Sequence, residues 1–144
     1  MKIRRVAVRS AITYAPYMPK AAFWVLLVRI SLLFTTHQKI RSVFVSKVCR
    51  AVADPVTEYR IARCVVFISK FVPKATCLTQ AIAAQIMLSR CKISSTIFIG
   101  IAIPGRNEFS AHAWLESGER ILLGGTRESL KGFTALARFQ AGDQ

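Results

Sequence analysis

Two residues of this 144-residue chain have the types and placement for covalent chemistry: Cys77, at the predicted start of a helix, and His112, on a predicted strand. A thiol attacks as its thiolate, and a free cysteine ionises only near a pKa of about 8.5. The unpaired N–H groups of a helix N-terminus favour the anion, and an imidazole within reach can take the proton. Thr76 is a fitting cap, and Cys77 follows it in the first turn. Cys91 falls at the far end of the same helix, where the dipole disfavours a thiolate, and Cys49 and Cys64 fall inside basic helices. The plain alternative is a core cysteine and a half-exposed structural histidine, since a lone cysteine is by default a small buried hydrophobe. The cysteine spacings contain no C-x-x-C, and there are only two histidines, so a metal site lacks its ligand pair. The second histidine, His37, sits in a Thr-Thr-His-Gln stretch between helices and reads as a surface or capping residue.

The elements that must carry this pair divide the chain in two. The first half reads as helices, over Lys20 to about Thr35 and over Gln38 to Ala53. A third helix opens at Asp54-Pro55 with Glu58 in its first turn, a cap followed by proline at the first helical position. Ile61, Val65, Ile68 and Val72 form its apolar stripe, and Pro73 stops it. The helix from Cys77 carries Ala81, Ala84, Leu88 and Cys91 on one line and Leu78, Ile82 and Ile86 beside it, which predicts deep packing on a sheet. Thr96 to Ile103 reads as a central strand, and Pro104 to Asn107 as a turn. Phe109 to Glu116 alternates, with Phe109, Ala111, Ala113 and Leu115 on one face and Ser110, His112, Trp114 and Glu116 on the other. A short strand over Arg120 to Leu123 ends at Gly124-Gly125, and another is expected near Phe133 to Phe139, giving an antiparallel meander. The fold class is therefore α+β: a helical N-terminal half, then a Cys-bearing helix packed on a small antiparallel sheet. The organisation is one domain over 1–144, with a basic helical part to residue 54 and the core from 55 onward.

Composition excludes disorder, with 53% apolar and 19% charged residues, and there is no repeat or Gly/Ser linker. The net charge of +14 is uneven: residues 1–76 carry 14 Lys/Arg against Asp54 and Glu58, or +12, and the remainder carries +2. Such an excess attracts anionic partners of any kind, or simply coats solvated helices. The apolar run Ala21 to Phe34 is about 14 residues, contains Arg29, and falls short of the roughly 20 a bilayer needs. No A-x-A-like site follows it, so the expectation is a cytoplasmic protein, with membrane contact possible but not predicted.

The segment CLTQAIAAQIMLSRCKISSTIFIGI, followed by FSAHAWLE and GERILLGG, resembles the B-type leader peptidases of lasso-peptide biosynthesis, a transglutaminase-like cysteine protease family. Cys77-Leu78, Ala81, Gly100, His112-Ala113-Trp114, Glu116 and Gly118 match that family's pattern. The likeness covers about 55–125 closely and the helical half loosely. It implies a papain/transglutaminase-like core and a bacterial, cofactor-free peptidase that removes the leader from a ribosomally made precursor. By that resemblance Cys77 is the nucleophile, His112 the base and Trp114 a wall of the substrate cleft. The departure is at the third member: the family carries an acid after the histidine strand, and this chain has none near Gly124. Glu116 and Glu119 are the candidate orienting acids, with Glu128 or a backbone carbonyl as substitutes.

The resemblance also implies partners: the precursor's leader peptide, a separate leader-recognition protein, and a macrolactam cyclase of asparagine-synthetase type. No nucleic acid is expected, because interleaved aromatics and a base-reading helix are lacking. Two other readings compete: a non-catalytic basic helical module binding nucleic acid or anionic membrane, and a degenerate protease-like scaffold.

Overall fold

The computed structural model describes residues 13–48, 54–105 and 108–141. Cys49, Arg106 and Asn107 lie outside the described residues. Helix α1 spans Met18–Phe34 and α2 spans His37–Phe44. Helix α3 spans Pro55–Ser69, and α4 spans Cys77–Arg90. Strands β1 (Thr96–Gly105), β2 (Glu108–Ser117) and β3 (Arg120–Leu123) follow, then the short helix α5 (Arg127–Leu130) and β4 (Thr134–Gln140).

Capping residues set the helix starts where the sequence places them. Asp54 accepts from the backbone N–H of Thr57 ahead of Pro55. Thr76 and Thr79 form a reciprocal capping box that begins α4 at Cys77. Helix α4 is the core of the molecule: Ala81 to Ser89 are all buried, packed by α1 and α3 on one side and by β1 and β2 on the other. Helix α1 contributes Ala21, Trp24, Val25 and Val28 to the same core cluster as Ile82, Ile86, Ile97 and Leu115, so the helical half and the sheet share one core.

Several expectations are corrected. Helix α2 stops at Phe44 instead of running to Ala53, because extended backbone from Val45 lets that side chain enter the core and the Ser46 N–H reach Ser89 Oγ (3.1 Å). Helix α3 ends at Ser69, and three i→i−3 bonds carry the chain on through Phe71 and Val72 to Pro73. Cys91 leaves the apolar line as the exposed C-cap of α4, and Ile93 takes the core position beyond it. Pro104 and Gly105 belong to β1.

The sheet is not a plain meander. Its order is β3-β2-β1-β4, so α5 and its flanking turns carry the chain from one edge to the other, and β4 pairs with β1. The connection can cross because Trp114 and Phe98 present an apolar floor on the face away from α4, stacked 5.5 Å apart. Both faces of β2 are therefore covered over Ala113 to Leu115, whereas Phe109 and Ala111, expected on the core face, are exposed beyond the end of the helical layer.

Candidate active site

Cys77 is the first residue of α4 and is half-buried. The opening turn of a helix leaves its leading N–H groups without intrahelical partners. The cap satisfies Thr79 and the Thr76 carbonyl takes Gln80, so the amides of Cys77 and Leu78 are the ones left facing any anion at this end. Of the other described cysteines, Cys64 is buried in α3, where desolvation pushes its thiol up, and Cys91 is exposed at the opposite helix end. Neither is a placed nucleophile.

Helix α4 runs antiparallel to β1, and Gln85 fixes its height over the sheet by donating to the carbonyls of Ser95 (3.1 Å) and Phe139 (2.9 Å). Cys77 is eight positions earlier, about 12 Å along the helix axis. A strand covers that length in roughly 3.6 residues, which brings Cys77 level with Ile99 and its partner Ala113, beside His112. By this reckoning the two residues stand at a similar level along the sheet. The structure does not close the pair: among the described residues no hydrogen bond joins Cys77 to His112, and Ala113 and Leu115 turn toward α4 while His112 shares the face of Phe98 and Trp114.

His112 is held firmly where it stands. Its Nε2 lies against the carbonyl oxygen of Gly124, and its ring packs on Phe133 at 5.5 Å. An Nε2–H donating to a carbonyl leaves the lone pair on Nδ1, so the contact selects the tautomer whose Nδ1 can act as a base. Strand β3 ends at Leu123, so its ladder with β2 stops at Leu115 and does not reach His112.

None of the candidate acids is bonded to His112 among the described residues. Glu116 accepts from Trp114 Nε1 at 2.9 Å, and Glu119 is exposed in the β2–β3 turn, where its carbonyl accepts from Arg127 (2.7 Å). Glu128 pairs with Lys131 on the surface. The acceptor on His112 is instead the backbone, and packing explains why. Gly124 has φ +95°, and a Cβ there would lie 2.6 Å from Trp114 Cα and Cβ. No side chain fits at that position, acid or otherwise. Gly100, paired with His112 across β1, is constrained similarly: a Cβ would meet Trp114 Cζ3 at 2.8 Å.

Trp114 is buried, and it also lines a cleft of about 460 Å³ with Glu116, Glu119, Ile121, Arg127 and Leu130. Neither Cys77 nor His112 lines that cleft, so the role of Trp114 shown here is packing. His37 stands at the first position of α2, where Thr36 is the cap, and meets Phe139 edge-to-face at 5.2 Å. It is a packing residue, far in the chain's order from the α4 start.

The family model of the transglutaminase-like superfamily matches residues 24–138. The chain belongs to that superfamily. No curated protein and no solved structure matches it. The matched span of this transglutaminase-like chain includes most of α1 and all of α2. Its superfamily includes cysteine proteases and transglutaminases, which agrees with an α+β core built on a Cys-bearing helix. Sequence reasoning missed Gly124, Phe98 and Phe133 as parts of the histidine's surroundings. The Gly-Gly step after β3 and the Phe98–Trp114 pairing were the available signals.

Proposed function

We propose that the protein is a cysteine peptidase with Cys77 as nucleophile and His112 as base, and that its substrate is the leader-bearing precursor of a lasso peptide. The observation that carries the reading is the His112–Gly124 contact, which supplies the orienting function of a triad without an acid and presents Nδ1 as the base.

His112 takes the thiol proton, and the Cys77 sulfur attacks the scissile carbonyl carbon, with the helix-start amides facing the oxyanion. The C–N bond breaks as the imidazolium returns the proton to the leaving amine. A thioester remains on Cys77. Water then attacks it, His112 accepting its proton, and the carboxylate departs as the thiol is restored. Catalytic hydrogen bonds in unliganded sites tighten when substrate binds, so this reading requires thiol and imidazole to close in the complex. The leader-recognition protein and the asparagine-synthetase-type cyclase are the partners this reading assigns to the chain. The match of the Cys-Leu and His-Ala-Trp motifs supports the leader-peptidase assignment.

The open Cys77–His112 geometry favours a second reading, a protease-like scaffold that has lost catalysis. One assay separates the two. Full-length protein, recognition partner and precursor are incubated, and mass spectrometry follows release of an intact leader. The peptidase reading expects cleavage by wild type and none by Cys77→Ala or His112→Ala. Cleavage by Cys77→Ala equal to wild type would eliminate the thiol mechanism, and no cleavage by any form would favour the scaffold.

A further inference from the structure

Helix α1 is apolar on every side, but the core covers only part of it. Ala21, Trp24, Val25 and Val28 are buried, whereas Phe23, Leu26, Ile30, Leu33 and Phe34 are 58%, 47%, 54%, 62% and 84% exposed. At 3.6 residues per turn these five fall within a stripe about 100° wide, running the length of the helix opposite its packed face. On the same wheel Lys20 flanks one side of the stripe and Arg29 the other. Arg29 is steadied there by its bond to the Pro73 carbonyl (3.3 Å). The surrounding sequence contains no negative charge: every acidic residue of the chain is at or after Asp54, while ten Lys and Arg precede it.

We infer that α1 is a peripheral membrane-docking element that lies in the surface of an anionic bilayer. The apolar stripe enters the acyl boundary, and the flanking cations meet lipid phosphates. Charge selects an anionic occupant, and shape selects a lipid surface. Among the described residues the stripe is the convex side of a helix and none of its five residues lines a cleft, whereas a bilayer conforms to such a surface. Length excludes a span, since 17 residues reach about 26 Å against a hydrocarbon core of about 30 Å. No helix among the described residues is long and apolar enough to cross a membrane. This inference is independent of the catalytic reading.

The full chain is sedimented with vesicles of phosphatidylcholine alone and of equimolar phosphatidylcholine and phosphatidylglycerol, in low and high salt. The expected result is partition onto the mixed vesicles that weakens with salt, and little onto phosphatidylcholine alone. Ile30→Ser combined with Phe34→Ser, both solvent-facing, lowers partition about tenfold or more with an unchanged circular dichroism spectrum. Lys20→Glu lowers it at least about fivefold on the mixed vesicles. Wild type left in the supernatant, or a double serine variant that partitions like wild type, would overturn the inference. So would a stripe-dependent homodimer or protein complex that excludes vesicles.

Discussion

His112 Nε2 lies against the carbonyl oxygen of Gly124, near which the leader-peptidase resemblance implies an acid. The glycine is there because nothing larger fits: its φ is +95°, and Trp114 occupies the space a Cβ would need. Orientation of the imidazole is thereby transferred from a side chain to the main chain. Gly124→Ala should cost about 2 kcal/mol or more from left-handed backbone and the Trp114 clash together, read as a lower urea midpoint. Gly124→Asp, which would restore the acid in sequence, should lower leader cleavage, because the clash displaces the carbonyl that holds His112. A faster Gly124→Asp enzyme would count against this account.

The sheet edge that carries this contact is tied to α3 through Glu58, which is 1% exposed. Arg120 donates from Nη2 (2.8 Å) and Nε (3.1 Å) to one carboxylate oxygen, and Ser117 Oγ donates to the other at 2.9 Å. Removing one partner of a buried pair strands the other charge. Because Arg120 is half exposed, water can replace part of it, and Arg120→Ala should cost about 2 kcal/mol, below the 3–5 typical of full burial. Arg120→Lys should recover part of that loss. Chemical denaturation of the three proteins measures both steps.

Gln85 ties four elements together. Its Oε1 accepts from Arg41 Nε of α2 at 2.8 Å, while its amide holds the carbonyls of Ser95, just ahead of β1, and of Phe139 in β4, and Arg41 Nη2 reaches the Gln140 carbonyl at 2.9 Å. Gln85→Leu, nearly equal in volume, should still cost about 2–4 kcal/mol, because it leaves buried polar groups unsatisfied. The loss should appear in the urea midpoint with the slope unchanged.

His37 provides a pH-dependent term. Burial, then the nearby Arg41 charge, hold its pKa below the ordinary 6.5. The unfolded chain therefore binds a proton more readily than the folded one, so stability is full above pH 6.5 and declines as pH falls below that value. Thermal melts of wild type from about one pH unit above to about one below 6.5 should show this decline. His37→Gln should flatten it, and an equal decline in the variant would refute the assignment.

The sequence was most readable where one local rule acts alone. Asp54-Pro55 and Thr76-Cys77 mark helix starts by capping chemistry, and the observed starts coincide with them. Strand alternation placed His112 and Trp114 on one face, as found. What failed depended on distant partners. Nothing in residues 45–53 reveals that Val45 is drawn into the core and Ser46 toward Ser89. The position of β4 beside β1 is likewise a matter of three-dimensional competition for an edge, decided by the Trp114–Phe98 floor that α5 crosses. The histidine's acceptor was hidden for a simple reason: a backbone carbonyl has no residue type.

The central claim, a thiol at Cys77 activated by His112 once substrate closes the pair, is tested most directly by alkylation with a limiting chloromethyl ketone of the precursor's leader-end peptide, which fills the cleft as it labels, followed by peptide mapping. Cys91 is the internal control, since it is exposed whereas Cys77 is only half-buried. Accessibility alone would make Cys91 react first. The account predicts that Cys77 reacts faster than Cys91 in wild type, and that His112→Ala removes the preference while leaving Cys91 unchanged. Faster labelling of Cys91 in wild type, or a Cys77 rate indifferent to His112→Ala, would contradict it.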